Sequence, residues 1–141
     1  MPEPPFQRMT YRFAFHDHAV FVTLGGDVSM PDIRTATEAL LRHPAWRPGL
    51  DVLWDFTQIT SLDVTPEALR DLADFDSALM ERAGPGRTAL VMRSDSDLDV
   101  GTLYTLLLRG GGRTHRAFGG AEEAMAWLAR EPPPATTEAA E

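Results

Sequence analysis

The chain has 141 residues, 43% of them hydrophobic and 24% charged, a composition typical of one globular domain with a sizeable hydrophobic core. Its formal net charge of −8 argues against a nucleic-acid partner, because polyanions bind clustered positive charge and the 13 basic residues here are scattered. The chain contains neither cysteine nor lysine, which excludes disulfides, thiolate metal sites and Schiff-base chemistry.

The two ends of the chain and its longest apolar runs bear on location. No apolar run approaches the roughly 20 residues of a membrane-spanning helix, and the N-terminal stretch MPEPPFQRMTYRF lacks the apolar segment of a signal peptide. We therefore expect no membrane span and a cytoplasmic location. Residues 1–8 are rich in proline and predict a loose N-terminus, and residues 131–141 have no apolar face and predict a disordered tail.

The first half of the chain predicts a β-hairpin, a helix and a buried strand. Large apolar residues alternate in YRFAFH and continue in AVFVTLGGDVS up to a two-glycine break, with the short HDH as the hairpin turn. Ser29, Pro31 and Asp32 are the start signal of a helix that ends near residue 42. Residues 51–57 are almost continuously apolar, which is typical of a strand covered on both faces.

The second half of the chain alternates helices with strands. A helix at about 66–82 is followed by a strand at 87–93, a helix at 97–108, the short strand THRAF and a last helix, GAEEAMAWLAR. This last helix is expected to bury Ala121, Ala124, Met125 and Leu128. The strands 51–57 and 87–93 are expected to be adjacent, parallel and central, since both are short, apolar and linked by helices. The order predicts a single α/β domain at 9–130, with a mixed five-stranded sheet, an N-terminal β-hairpin and four helices.

Four segments, in this order, resemble the SpoIIAA-like branch of the STAS superfamily: GGDVSMPDI, RPGLDVLWDFTQIT, RTALVMRSDSDLDVG and RAFGGAEEAMAWL. The resemblance covers about residues 9–130. It implies a SpoIIAA-like fold, a bacterial source, and a non-enzymatic regulatory module that acts through protein or small-ligand contacts. In STAS antagonists of anti-sigma factors, the third strand runs into the pattern V-D-L-S-x-V-x-x-I-D-S-S-G, in which a kinase phosphorylates one serine.

The stretch WDFTQITSLDVTPEAL can be aligned with that pattern without gaps. Asp55 falls on the strand acid and Asp63 on the acid of D-S-S-G. Thr65 falls on the second serine, whereas Val64 and Pro66 replace the first serine and the glycine. Two roles are therefore open for Thr65: a phosphorylated switch, or the N-cap of the following helix, for which a threonine before Pro-Glu is well suited.

The loops that follow the strands 51–57 and 87–93 form the candidate binding site, because ligands of open α/β sheets bind at the carboxyl ends of parallel strands. The candidates are Asp55, Thr57, Ser61, Asp63, Thr65, Ser94, Asp95, Ser96 and Asp97. Serine and aspartate in such loops also cap helices, which is the competing interpretation. DSDLD lacks the glycine and glutamate of a calcium loop, and no nucleophile–base set is evident, so we expect no catalytic residue, metal or cofactor.

Three functional classes remain open at this point. The first is a non-enzymatic binding module, and we expect the protein not to be an enzyme. The second, suggested by Sec14-type domains, is a carrier of a small lipophilic ligand. The third is an enzyme that uses Asp55, Asp63 or the loop 94–97 with a metal. A deep apolar cavity would favour the carrier, and converging carboxylates with shifted pKa values would favour the enzyme.

The helix 97–108 carries more large apolar residues than one packed stripe needs. Exposure of Leu103, Tyr104 or Leu107 would indicate a protein partner or a homodimer through this helix. Burial of the same residues under a neighbouring helix is the alternative.

Overall fold

The computed structural model describes residues 6–130, in which one six-stranded sheet carries five helices. The strands are β1 (Thr10–Phe15), β2 (Ala19–Ser29), β3 (Asp51–Asp55), β4 (Ile59–Asp63), β5 (Gly86–Val91) and β6 (Arg113–Phe118). The helices are α1 (Met30–Arg42), α2 (Pro66–Ala78), α3 (Met80–Ala83), α4 (Asp95–Leu107) and α5 (Ala121–Ala129). The single α/β domain, the mixed sheet and the opening hairpin are confirmed, with one strand and one short helix more than expected.

The sheet has the order β1-β2-β3-β5-β6, and β4 pairs with the far end of β2. The hairpin of β1 and β2 is antiparallel, and every other pair is parallel. Strands β3 and β5 are neighbours, with Val52 opposite Thr88 and Asp55 opposite Val91. Neither lies at an edge, so the prediction that these two strands are adjacent, parallel and central is confirmed.

Strand β4 lies in the polar stretch that was expected to be a loop. It pairs with the second half of β2 after a register shift between Gly26 and Asp27. The expected break at the two glycines is therefore wrong, because β2 continues through a bulge to Ser29. Gly26 has a φ of 79°, and a Cβ there would collide with the backbone oxygen of Arg8, so glycine alone suits this position.

The N-terminal stretch before β1 also contacts this bulge. Gln7 donates its backbone N–H to Asp27 Oδ2 at 2.8 Å and accepts a hydrogen bond from the Asp27 N–H at 2.8 Å. Arg8 forms an isolated parallel β-bridge with Asp27. The rest of the predicted loose N-terminus, and the whole of the predicted disordered tail 131–141, lie outside the described residues, so both boundaries stay predictions.

The helices lie on the two faces of the sheet. Helix α2 lies between α1 and α4 and contacts both, and apolar residues of all three helices form a core with Val52 and Trp54. Leu53 points to the other face, since side chains alternate along a strand, and there it packs in a second cluster with Ala124 of α5. The main core therefore lies under three helices, and a smaller one lies under α5.

Helix α5 packs with only part of the expected side, Ala124 and Leu128. Ala124 is fully buried and Trp127 and Leu128 pack beside it, whereas Ala121 and Met125 are exposed. The Trp127 ring lies 5.6 Å from the Phe118 ring, between centroids. Burial of this large aromatic side chain fixes the rotation of the helix, which a count of small apolar positions did not capture.

Arg113 joins the amino ends of the central strands. Its guanidinium is buried and donates to Gly84 O at 3.0 Å, Thr88 Oγ1 at 3.0 Å and Leu50 O at 2.6 Å. Longer bonds of 3.3 Å reach Arg87 O and Ala83 O. Burial lowers the pKa of this guanidinium, and the charge of Asp51 acts in the opposite direction. The buried charge is therefore tolerated only because these acceptors bind its N–H groups.

We expect Arg113→Met to lower the free energy of unfolding by about 3 to 5 kcal/mol, because it leaves several buried acceptors without their donor. Urea denaturation of the variant measures this loss. The matched control is Arg116→Met, an exposed arginine on the same strand, which should change stability by less than about 0.5 kcal/mol. Similar losses in the two variants would contradict the role given to Arg113.

Candidate functional site

The two predicted loops lie side by side, because β3 and β5 are neighbours and both end at the same edge of the sheet. Arg93 joins β4 to α4 there. Its Nη1 donates to the Thr60 carbonyl at 2.7 Å and lies 3.4 Å from the Ile59 carbonyl. Its Nη2 lies 3.1 Å from Asp97 Oδ2 in an ion pair. Arg93 thus connects the start of β4 with the first turn of α4.

Most candidate oxygens after β3 are already engaged locally. Asp55 Oδ1 accepts hydrogen bonds from the Thr57 N–H at 2.8 Å and from the Thr57 hydroxyl at 2.6 Å. Ser61 donates its hydroxyl to Asp27 Oδ1 at 2.7 Å. The hydrogen bonds from Ser61 and from the Gln7 N–H hold the pKa of Asp27 below its usual value. These contacts shape the loop and the bulge.

Two further candidates cap helices. Thr65 Oγ1 accepts a hydrogen bond from the Ala68 N–H at 3.1 Å at the start of α2. Ser94 Oγ accepts one from the Asp97 N–H at 3.2 Å at the start of α4. The remaining candidates have exposed side chains: Asp63, Asp95 and Ser96. Within the part of the chain that the structure describes, no group of three or more His, Cys, Asp or Glu side chains is placed to hold a metal ion.

A cavity of about 100 Å³ lies between the sheet and helices α1, α2 and α4. Its walls are mainly apolar and include Ile33, Trp46, Trp54, Leu72, Leu90 and Val100. Thr37, Leu41 and Leu79 also line it and are half-buried, which indicates an opening beside the second half of α1 and the end of α2. The cavity is therefore an apolar space that solvent can reach.

A small polar cluster lies inside this apolar space. Asp76 of α2 is only 6% exposed, and its Oδ2 accepts a hydrogen bond from the Tyr104 hydroxyl of α4. Its Oδ1 is buried and has no hydrogen-bond partner within residues 6–130. The Tyr104 ring meets the His115 ring edge-on, with centroids 6.4 Å apart. Asp76, Tyr104 and His115 all line the cavity.

Burial sets the charge state of this cluster. It raises the pKa of Asp76 to about 6, against the opposing effects of the Tyr104 hydrogen bond and the Arg34 charge. Burial also raises the pKa of Tyr104 well above its usual value, helped by the charge of Asp76. Burial and then the charge of Arg113 lower the pKa of His115 to about 4. At neutral pH, Asp76 is mostly ionised, and Tyr104 and His115 are neutral.

Comparison with known structures finds the same architecture elsewhere. A crystal structure of an uncharacterized protein from the DUF3478 family, with a SpoIIAA-like fold, from Shewanella loihica PV-4 matches 92% of this chain and 100% of its own, with a TM-score of 0.54 and 14% sequence identity. The chain has a SpoIIAA-like fold. The resemblance predicted from the four segments is thereby confirmed for the fold. Neither a protein-family model nor a curated protein matches the sequence.

Sequence reasoning placed the candidate site of this SpoIIAA-like fold at the strand ends and missed Asp76. A signal was present, because Asp76 falls four residues after Leu72 and seven after Leu69, on the apolar stripe of α2. The neighbouring Phe75 is half-buried, with the Arg34 guanidinium 4.0 Å from its ring centroid. A charged residue on a packed stripe indicates a buried polar contact.

Of the three α4 residues for which exposure and burial were both open, two pack in the protein and one is exposed. Tyr104 and Leu107 pack against the main core. Leu103 and Leu106 are the exposed leucines, at 48% and 76%. A homodimer or a protein partner at this helix stays a prediction. No helix among residues 6–130 is long and apolar enough to cross a membrane.

We expect Thr65→Ala to lower the free energy of unfolding by about 1 kcal/mol, because the N-cap hydrogen bond to Ala68 is lost. Urea denaturation measures the change. Thr102→Ala, at an exposed position inside α4, is the control and should leave stability equal or higher, since alanine favours helix. If Thr65→Ala instead left stability unchanged and abolished binding of a partner, the result would contradict the purely structural role and support a phosphorylated switch.

Asp76 and His115 should give opposite pH dependences of stability. The folded pKa of Asp76 is raised from 3.8 to about 6, so its contribution is fully present below pH 3.8 and is lost as the pH rises through 6. The folded pKa of His115 is lowered from 6.5 to about 4, so its contribution is fully present above pH 6.5 and is lost as the pH falls through 4. Each change amounts to about 3 kcal/mol, and in the wild type the two nearly cancel.

Denaturation from pH 4 to 7 tests this cancellation. Relative to wild type, His115→Gln should lose about 2 to 3 kcal/mol of stability as the pH rises from 4 to 6, because the variant lacks the gain from His115 that offsets the loss from Asp76. Relative to wild type, Asp76→Asn should gain a similar amount between pH 4 and 6.5. Curves of both variants that run parallel to the wild type would contradict the two shifts.

Proposed function

We propose that this protein is a non-enzymatic binding module that holds a small, mainly apolar molecule in the cavity between the sheet and helices α1, α2 and α4. The observation that carries the proposal is the cavity itself, a mainly apolar space with a side open to solvent and a few polar groups in its wall. Ligand sites of proteins have this character: mostly apolar walls and a few placed polar groups.

The size of the cavity supports a ligand of one ring or a short chain. Engineered apolar cavities of about 150 Å³ bind benzene, and sites for drug-sized ligands run from about 300 to 1,000 Å³. A cavity of about 100 Å³ belongs near the lower figure. The apolar walls therefore support the hypothesis of a small lipophilic ligand, and the small volume argues against a long-chain lipid as that ligand.

The strand ends lend less support to the enzyme hypothesis. Asp55 accepts two hydrogen bonds from Thr57, and Asp63 is exposed at the end of β4. Asp76 is a single carboxyl in the cavity, so the pair of carboxyls that acid–base chemistry uses is not brought together there among residues 6–130. A regulatory role is a part of the proposal that rests on the fold resemblance, and a protein partner rests on that resemblance and on the exposed Leu103 of α4. A cytoplasmic location stays an expectation from the sequence.

Toluene is a suitable first probe, and we expect it to raise the melting temperature of the wild-type protein. A ligand at ten times its Kd stabilises the folded state by about 1.4 kcal/mol if it binds only that state. Val100→Phe should remove the effect, because the larger side chain fills the cavity. The matched control, Leu103→Phe, adds the same ring to an exposed position of the same helix and should keep it.

Two results would contradict the proposal. One is an unchanged melting temperature of the wild type at saturating toluene. The other is an equal toluene effect in Val100→Phe and Leu103→Phe. Leu41→Trp, at the rim of the cavity, provides a second blocked variant should Val100→Phe not fold.

A further inference from the structure

We infer that the ligand of this cavity is an uncharged, mainly apolar molecule with one hydrogen-bond donor, a hydroxyl group above all, which Asp76 Oδ1 accepts. The inference rests on the proposed function and adds the chemical class of the ligand. Phenol is the simplest aromatic molecule of this class, and it has nearly the shape of toluene.

The first step is the state of the Asp76 carboxyl. The residue is 6% exposed, and one of its oxygens, Oδ2, is taken by the Tyr104 hydroxyl. The other, Oδ1, lies buried at the cavity without a hydrogen-bond partner from residues 6–130. Buried carboxylate oxygens are almost always hydrogen-bonded, since leaving one unpaired is costly. A ligand that brings a donor therefore gains an interaction that a hydrocarbon of the same shape lacks.

The second step is the source of that donor. Tyr104 has one hydroxyl proton and gives it to Oδ2. The guanidinium of Arg113 lines the same cavity, but Nε, Nη1 and Nη2 all donate to protein acceptors. The Arg34 side chain from α1 acts on Asp76 through its charge and lies over the Phe75 ring. No protein group among residues 6–130 donates to Oδ1, so a ligand can use this acceptor.

The third step is the charge of the ligand. The charged and titratable groups in the wall of the cavity are Asp76, Tyr104, Arg113 and His115, and the charge of Arg34 acts on Asp76 from α1. A cationic ligand would meet the Arg113 guanidinium and would have to leave water for an apolar space. An anionic ligand would meet the carboxylate of Asp76 itself. A neutral hydroxyl avoids both costs and still donates to a charged acceptor, which makes the stronger kind of hydrogen bond.

The experiment compares phenol with toluene by NMR titration at pH 8. The chain has three tryptophans, of which Trp46 and Trp54 line the cavity and Trp127 packs on the opposite face of the sheet. Their indole N–H signals therefore report the place of binding. We expect both compounds to shift the signals of Trp46 and Trp54 and to leave that of Trp127 in place.

The decisive variant is Asp76→Leu/Tyr104→Phe, which removes both hydrogen-bonding partners together and so leaves no buried group unpaired. We expect the ratio of the toluene Kd to the phenol Kd to fall at least about tenfold from its wild-type value, the effect of one hydrogen bond to a charged acceptor. The matched control is Asp74→Leu, an exposed aspartate on the same helix, which should keep the wild-type ratio.

A pH series adds an independent readout. Phenol stays neutral from pH 5 to 8, and His115, with its pKa of about 4, stays mostly neutral there too. The phenol affinity should fall as the pH drops through 6, where Asp76 becomes protonated, while the toluene affinity stays constant. The double variant should show no such fall.

Each outcome decides between the two levels of the proposal. If both compounds shift Trp46 and Trp54, but the double variant keeps the wild-type ratio, the inference about Asp76 is wrong and the binding module stands. If neither compound shifts those two signals, or only Trp127 responds, the proposed function fails and the inference fails with it.

Discussion

The buried hydrogen bond between Tyr104 and Asp76 crosses a mainly apolar layer, and the properties of the cavity depend on it. It joins α4 to α2 above the sheet. It occupies one oxygen of a buried carboxyl and leaves the other without a protein partner among residues 6–130. Apolar residues of similar size at both positions would give equal or greater stability in many proteins, so stability alone does not explain a buried carboxyl here. Its position in the wall of the cavity fits the proposed role of accepting a hydrogen bond from a ligand.

Helix α4 reaches this position because of a glycine in its middle. A Cβ at Gly101 would lie 3.2 Å from Met92 Sδ and 3.3 Å from Ala117 Cβ, closer than ordinary contact. Glycine at 101 lets the helix sit close against β5 and β6, and Tyr104 follows three residues later on the same side. The opposite side of the helix then carries Leu103 and Leu106 toward solvent. The backbone approach at one residue thus sets which residues of α4 line the cavity.

The elements that could be predicted from the sequence are those whose local pattern agrees with their packing. The continuously apolar strands around Trp54 and Leu90 are buried on both faces and are central. Strand β4 was missed because it is a short strand in which Ile59 alone is fully buried, and its partner is the far end of a bulged β2. No local pattern predicts a pairing of this kind.

The candidate site shows the same limit more sharply. The caps at Thr65 and Ser94 follow from sequence, since an N-cap involves residues only three positions apart. Both exposure and burial were open for Tyr104 because its partner, Asp76, is 28 residues away in the chain and lies on another helix. A stripe count on α4 alone cannot reveal that contact. The aspartate on the apolar stripe of α2 was the available signal, and it indicated a buried contact without naming the partner.

The strand ends and the cavity are also connected physically through α4. Arg93 pairs with Asp97 in the first turn of that helix and bonds to the Thr60 carbonyl of β4. The arginine of this pair is partly exposed, so solvent weakens the attraction. Close packing at Gly101 and the buried bond of Tyr104 are stronger constraints, so they determine where α4 lies, and the Arg93 contacts follow the helix. The packing of α4 at the cavity therefore determines the position of the loops after β3 and β5.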